Sequence, residues 1–291
     1  MAKITRAMDA EGFVRISFID SRDIVETARE IHHTSPVVTA ALGRTLTVTA
    51  LLGSLFKEPA HNLTVYIKGD GPLGGMVATA DGGGMVKGYP YQPLVDLPLK
   101  NGKLDVGGAI GKGSLAISRD LGLKDPYVGQ VPLVTGEIAE DFTYYFAKSE
   151  QIPTAIALGV LVEKDLSVRQ AGGFIVQLMP GAPDSVAAVI EENLASLPPV
   201  TTLLEQNMSP EDIIVMVLAG LFVKILDPLE YEYRCDCSIE KITKALISLG
   251  AEELSDMIEK DKGAELTCQF CPKVYRFNSE ELQALYDSAK Q

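Results

Sequence analysis

The sequence predicts an α+β protein: a large N-terminal domain with helices on a mostly antiparallel sheet, a helical linker and a small C-terminal module. Glycine-punctuated β-prone runs fill residues 62 to 130, prolines and a glycine interrupt the chain at Met179–Pro183, and all four cysteines lie beyond residue 234. We therefore place a core domain at 1–180, a linker at 181–233 and a cysteine module at 234–291.

The N-terminal segment predicts a β-hairpin followed by two helices. Ile4–Met8 and Phe13–Asp20 flank a turn, and a helix runs from Arg22 to His33. The second helix starts at Ser35-Pro36, where serine can cap and proline suits the first helical position. It is almost uncharged from Val37 to Phe56, so we expect it in the core or in an interface.

The next stretch predicts the sheet. The β-prone runs are Leu63–Lys68, Gly75–Ala80, Gly84–Tyr91, Gly113–Ser118 and Tyr127–Val134. A helix capped by Thr135 covers Glu137–Lys148, and Ile152–Glu163 with Ser167–Leu178 forms the last pair of strands. Turn signals between the runs favour antiparallel pairing.

Beyond Pro183 the sequence up to about Tyr233 predicts helices. Asp184 starts one that ends near Leu197, a short turn covers Val200–Gln206, and Ser209-Pro210 starts another with a continuous apolar flank. That flank is too hydrophobic for a free linker. We expect it to pack on the core domain and to become a protein-binding surface when exposed.

The cysteine module predicts two helices, a hairpin and a last helix. Ser238 caps a helix to Leu249, a second runs from Glu252 to Lys260, and the hairpin covers Leu266–Phe277. Asn278 and Glu281 resemble a capping box for the last helix. A module this small buries too little surface to be stable without a further stabilising link such as a bound metal or a disulfide.

The four cysteines form two close pairs, Cys235-Asp236-Cys237 and Cys268-Gln269-Phe270-Cys271. Two pairs from separate turns suit a tetrahedral metal, and an all-sulfur set favours Zn²⁺, so we predict that Cys235, Cys237, Cys268 and Cys271 bind one zinc ion. Two structural disulfides, or four buried thiols without a function, are the simpler alternatives. The start Met1–Thr5 carries no apolar signal segment, so we expect a cytoplasmic protein with reduced thiols.

Other functional motifs are incomplete. Gly69–Gly74 matches G-x-G-x-x-G, but the residues after it alternate as a strand does, and Gly111–Ser114 lacks key residues of a phosphate loop. The three histidines, His32, His33 and His61, lie at a helix end and in a turn, where a structural role suffices. We expect no nucleotide, no catalytic residues and no enzyme.

Charge and hydropathy limit the partners. Most of the net charge of −13 lies beyond residue 180, and acidity around the module argues against nucleic acid. The longest uncharged apolar run, from Ile213 to Val223, falls short of the ~18 residues that a membrane span needs. We expect neither nucleic acid nor a membrane as a partner.

Cys-x-Cys and Cys-x-x-Cys after a glycine-rich α+β domain and a helical linker resemble the thirty-three-kilodalton heat shock protein family of redox-regulated chaperones. The stretch from Gly69 to Tyr91 looks like that family's core signature. The resemblance implies an ATP-independent holdase that is idle with zinc bound. Under oxidants it would form Cys235–Cys237 and Cys268–Cys271 disulfides, release zinc and bind unfolding proteins as a homodimer, which makes 234–291 a redox-switch domain.

Two alternatives belong to other classes. A thiol–disulfide oxidoreductase needs an exposed cysteine of low pKa in a pre-folded site, often at a helix N-terminus, and Cys271-Pro272 before a strand does not offer one. A zinc-ribbon nucleic-acid-binding protein would need a basic face. The gap between the two cysteine pairs is also wider than the ~15–20 residues usual in ribbons.

Overall fold

The computed structural model describes residues 1–289 and divides the chain into two compact units, Met1–Arg234 and Cys235–Gln291. The first unit contains, in chain order, β1 (Ala2–Asp9), β2 (Val14–Asp20), α1 (Arg22–His32), α2 (Pro36–Gly53), β3 (Asn62–Gly69), β4 (Gly75–Asp81), β5 (Met85–Pro90), α3 (Val106–Ile110), β6 (Gly113–Asp120), β7 (Tyr127–Pro132), α4 (Ile138–Tyr145), β8 (Thr154–Val162), β9 (Val168–Leu178), α5 (Asp184–Ser196), α6 (Val200–Glu205), α7 (Pro210–Val217) and β10 (Val223–Tyr233). The α+β prediction is confirmed.

The strands of the first unit form one ten-stranded sheet in the order β7-β6-β3-β4-β5-β10-β1-β2-β9-β8. Neighbouring strands pair antiparallel except β10 and β5, which run parallel. The predicted N-terminal hairpin, the glycine-punctuated strands and the last strand pair are all present. The mostly antiparallel sheet is therefore confirmed.

Helix α2 lies in the centre of the core. All of its residues except Pro36 and Arg44 are buried, as the nearly uncharged sequence predicts. The Arg44 guanidinium reaches Glu137 at 2.5 Å, which pairs the one charge on the helix. This helix is long and apolar enough to span a membrane, but 89% of the apolar segment is buried inside the fold, which is typical of a core helix.

Several predicted element ends differ. Ser35 does not cap α2, because its hydroxyl donates instead to the carbonyl of Val95 at 2.7 Å. The helix predicted to run to Lys148 ends as α4 and continues as a π-helical turn, Phe146–Glu150. The turn expected at Val200–Gln206 is helix α6.

The helices predicted beyond Pro183 are present, but the helical prediction is wrong for the last part of this segment. Helices α5 to α7 are present, and buried residues of α7 such as Ile213 and Ile214 pack in one apolar cluster with Phe18 of β2 and Phe174 of β9. The residues from Val223 to Tyr233, however, are strand β10 rather than helix. Backbone hydrogen bonds to β1 and β5 hold this strand, and local sequence does not reveal them.

Strand β10 accommodates a proline through an irregularity in its pairing with β1. The register shifts between Ile4 and Arg6, opposite Asp227-Pro228. A proline cannot donate a ladder hydrogen bond and is tolerated at such bulges. Arg6 Nη2 donates to the Asp227 carbonyl at 2.8 Å, so the displaced backbone keeps a polar partner.

The second unit contains α8 (Ile239–Ser248), α9 (Ala251–Asp256), a π-helical turn at Met257–Asp261, β11 (Gly263–Thr267), β12 (Val274–Asn278) and α10 (Ser279–Ala289). The predicted caps are confirmed: the Ser238 hydroxyl accepts from the Lys241 amide, and Asn278 and Glu281 exchange two hydrogen bonds of 2.9 Å. Strands β11 and β12 form the predicted hairpin.

Candidate metal centre and family

Two irregular segments of the second unit carry the four cysteines. Cys235 and Cys237 precede α8, and Cys268 and Cys271 lie in the connection between β11 and β12. The amide of Cys268 donates to the Lys273 carbonyl at 2.9 Å, which closes that connection into a tight turn. Each pair therefore presents two sulfurs from one short stretch of chain.

The structure brings the four sulfurs of Cys235, Cys237, Cys268 and Cys271 within 4.8 Å of one another. Contacts across the two pairs include Cys235 to Cys268 at 3.7 Å and Cys237 to Cys271 at 3.4 Å, and all four thiols are free. A tetrahedral ion with bonds of ~2.3 Å to sulfur requires sulfur–sulfur distances of about 3.8 Å. The donor set and its spacing fit such an ion, and four cysteines favour zinc.

Hydrogen-bond donors point at three of the sulfurs. The Cys237 amide donates to the Cys235 sulfur, and the Lys273 amide donates to the Cys271 sulfur. The Tyr275 hydroxyl lies 3.1 Å from the Cys237 sulfur. Such donors stabilise thiolates, which are the form that binds a metal.

The pKa values of the cysteine thiols shift in different directions because their surroundings differ. Burial raises the pKa of Cys235 and of Cys271. Burial also acts to raise the pKa of Cys237, but the hydrogen bond from Tyr275 and those from the neighbouring sulfurs outweigh it and lower this pKa to about 7. Four sulfurs held this close favour a shared cation, because it removes the repulsion among their thiolates.

The core beneath the sulfurs is small. Its buried members are Leu246, Leu254, Tyr275, Phe277 and Leu282, and Cys237 and Cys268 pack against them. An ion pair between Asp236 and Lys241 ties the first cysteine pair to α8. The four clustered sulfurs and the apolar core thus belong to one structural unit.

The cysteine spacing did not point to Tyr275, whose hydroxyl hydrogen-bonds the sulfur of Cys237. Alternation along β12 buries Tyr275 and Phe277 on one face and exposes the residues between them. A tyrosine on the buried face of the hairpin, four residues after Cys271, was an available signal. Its partner sulfur depends on how the first cysteine pair folds against the hairpin.

Two of the three histidines, His32 and His61, make contacts that are typical of structural residues. Nε2 of His32 lies 2.9 Å from the Gly88 carbonyl, and because a carbonyl only accepts, Nε2 carries the hydrogen and donates to it. The ring of His61 packs edge-on against Phe56. Both contacts agree with the structural roles expected from the sequence.

The family model described as "Hsp33 protein" matches residues 2–278 of the chain. The chain belongs to the Hsp33 family. Among curated members, the 33 kDa chaperonin of Clostridioides difficile is 51% identical over 96% of both chains. The 33 kDa chaperonin of Acetivibrio thermocellus is 49% identical over 97% of this chain and 96% of that protein.

The architecture also matches a solved Hsp33 structure. The crystal structure of the 33 kDa chaperonin from Thermotoga maritima, described as a heat shock protein 33 homolog, superposes with a TM-score of 0.87. It is 41% identical, and the match covers 98% of both chains. The family resemblance seen in the sequence is confirmed over nearly the full length. Hsp33 membership supports a non-enzymatic chaperone role that involves binding client proteins.

Proposed function

We propose that this chain is a redox-regulated, ATP-independent holdase of the cytoplasm. The observation that supports it most directly is the four-sulfur cluster, together with Hsp33 family membership. In the reduced state, Cys235, Cys237, Cys268 and Cys271 would hold one zinc ion. In that state the ion would join the two cysteine segments and the protein would not bind clients.

Oxidation would convert the ligands into disulfides. The proposed pairs are Cys235–Cys237 and Cys268–Cys271. For each, two thiolates lose two electrons as the S–S bond forms, while the O–O bond of one peroxide breaks and, with two protons, gives two waters. A sulfur in a disulfide has no thiolate charge to offer a metal, so we infer that zinc leaves and that the small core it stabilised loses order.

The proposed client-binding segment is the linker, residues 181–233, between a core at 1–180 and a redox-switch domain at 234–291. Leu218 of this segment is buried against the sheet, together with the inward-facing α7 residues Ile213, Ile214 and Val217. Phe222, by contrast, is 88% exposed, and Val215 and Ile225 are also exposed. We infer that loss of order spreads from Cys235 into β10, which ends two residues earlier, and frees further apolar surface for clients.

The experiment follows zinc, thiols and chaperone activity in one sample. Peroxide with mild heat is expected to release one zinc per chain, to consume four thiols and to turn on suppression of client aggregation without ATP. Light scattering before and after oxidation tests the proposed homodimer of the active form. Equal suppression by the reduced, zinc-loaded protein would contradict the switch.

A matched control separates the loss of a ligand from a change in the number of thiols. Cys271→Ser removes one ligand, whereas Ser248→Cys adds a thiol on α8 and keeps all four ligands. The ligand variant is expected to hold less zinc and to suppress aggregation under reducing conditions. The added thiol should leave the reduced protein inactive. Turnover in insulin reduction would instead indicate an oxidoreductase.

A further inference from the structure

The side chain of Tyr275 donates a hydrogen bond to one of the four clustered sulfurs. Its hydroxyl lies 3.1 Å from the sulfur of Cys237, which is 38 residues away in the chain. The amide donors to Cys235 and Cys271 each lie two residues after the cysteine that accepts. The contact to Cys237 therefore depends on the folded hairpin.

The hairpin fixes this hydroxyl firmly. Tyr275 pairs with Leu266 across β11 and β12, and its side chain is 6% exposed in the core of the second unit. The ammonium of Lys273 lies 5.0 Å from the centre of the tyrosine ring. A cation at the ring withdraws electron density from it, which makes the hydroxyl a better donor.

We propose that Tyr275 is a positioning residue that sets the reactivity of the Cys237 sulfur, by donating a hydrogen bond that withdraws electron density from this one ligand. The inference rests on the proposed function, because it takes Cys237 as a metal ligand. Partners of metal ligands orient them and tune their electron density, and removal of such a partner typically lowers metal affinity ~10–100-fold. Hydrogen bonds to sulfur have the same tuning role in iron–sulfur sites.

The test uses Tyr275→Phe, which keeps the ring and removes the hydroxyl. In the reduced, zinc-loaded protein, iodoacetamide alkylates a thiolate by forming an S–C bond while iodide leaves. Mass spectrometry that resolves each cysteine is expected to show faster alkylation at Cys237 and an unchanged rate at Cys268. Zinc affinity, measured by competition with a chelator, is expected to fall ~10-fold or more.

A spectroscopic measurement separates hydrogen bonding from packing. With Co²⁺ in place of zinc, the sulfur-to-cobalt charge-transfer band of Tyr275→Phe is expected to move to lower energy, because a sulfur without its donor gives up electrons more easily. Phe277→Leu is the matched control, since it disturbs the same buried face of β12 and removes no hydroxyl. It should leave the band position unchanged.

A second variant covers the case in which Tyr275→Phe does not fold. Ring-fluorinated tyrosine at position 275 keeps the shape and strengthens the donor, so it should slow alkylation of Cys237 and move the band to higher energy. If wild-type protein binds metal and both variants leave the band and the alkylation rates unchanged, the role of Tyr275 is refuted. If wild-type protein binds no metal, the proposed function itself fails.

Discussion

Removal of the metal from reduced protein should unfold the second unit, while helix α2 in the core of the first unit stays ordered. A domain of about 57 residues has a typical free energy of unfolding of ~3–9 kcal/mol. Structural zinc contributes an apparent ~10–16 kcal/mol at neutral pH. The contribution of the metal exceeds this expected free energy of unfolding, and the core of the unit holds only five buried hydrophobic side chains among the described residues, so the metal-free unit should not remain folded.

Hydrogen exchange read by mass spectrometry is the assay. Reduced protein is treated with a zinc chelator in the presence of a thiol reductant, so that no disulfide forms. Peptides from α8 and β12 should lose their protection, whereas peptides from the buried helix α2 should keep theirs. Addition of zinc should restore the original pattern.

Unchanged protection in the second unit after removal of the metal would contradict this prediction. If the chelated, reduced protein contains no metal and its α8 and β12 peptides stay as protected as before, the apolar core alone is sufficient. The four cysteines would then be dispensable for folding. A sensor whose ligands do not stabilise the unit could not transmit their oxidation as unfolding.

Three further predictions concern buried polar groups and a helix cap. Tyr231→Phe removes a 2.6 Å hydrogen bond to the Asp81 carbonyl and should lower the free energy of unfolding, measured in urea titrations, by ~1–3 kcal/mol. The control Tyr66→Phe changes an exposed tyrosine and should alter the free energy of unfolding by no more than ~0.5 kcal/mol. Burial lowers the pKa of His32, so as pH falls the unfolded chain takes up a proton before the folded chain does. The free energy of unfolding should therefore decrease from about pH 6.5 downward. His32→Gln should flatten this pH dependence, and an unchanged pH dependence would show that His32 is not its cause. Asn278→Ala removes the cap of α10 and should cost ~0.5–2 kcal/mol in thermal unfolding of the zinc-loaded second unit, and an unchanged midpoint would refute the cap.

Local sequence was sufficient to predict an element wherever a short pattern is compatible with a single local structure. Ser209 followed by Pro210 satisfies the first turn of α7, and Asn278 with Glu281 satisfies that of α10, so these helix starts were predictable. The alternating and glycine-punctuated runs predicted the strands. The spacing of the two cysteine pairs predicted that their sulfurs would meet.

Sequence alone therefore determined the α+β class, most elements and the four clustered sulfurs, because caps, periodicity and ligand spacing are local. Tertiary contacts determine that residues 223 to 233 form a strand rather than the predicted helix. Their strand forms because β1 and β5 offer it hydrogen bonds, and the bulge beside Pro228 depends on a partner more than 200 residues away. The hydrogen bond from Tyr275 to Cys237 could not be predicted from the sequence for the same reason. Contacts between distant segments depend on how the chain packs, and no local sequence pattern indicates them.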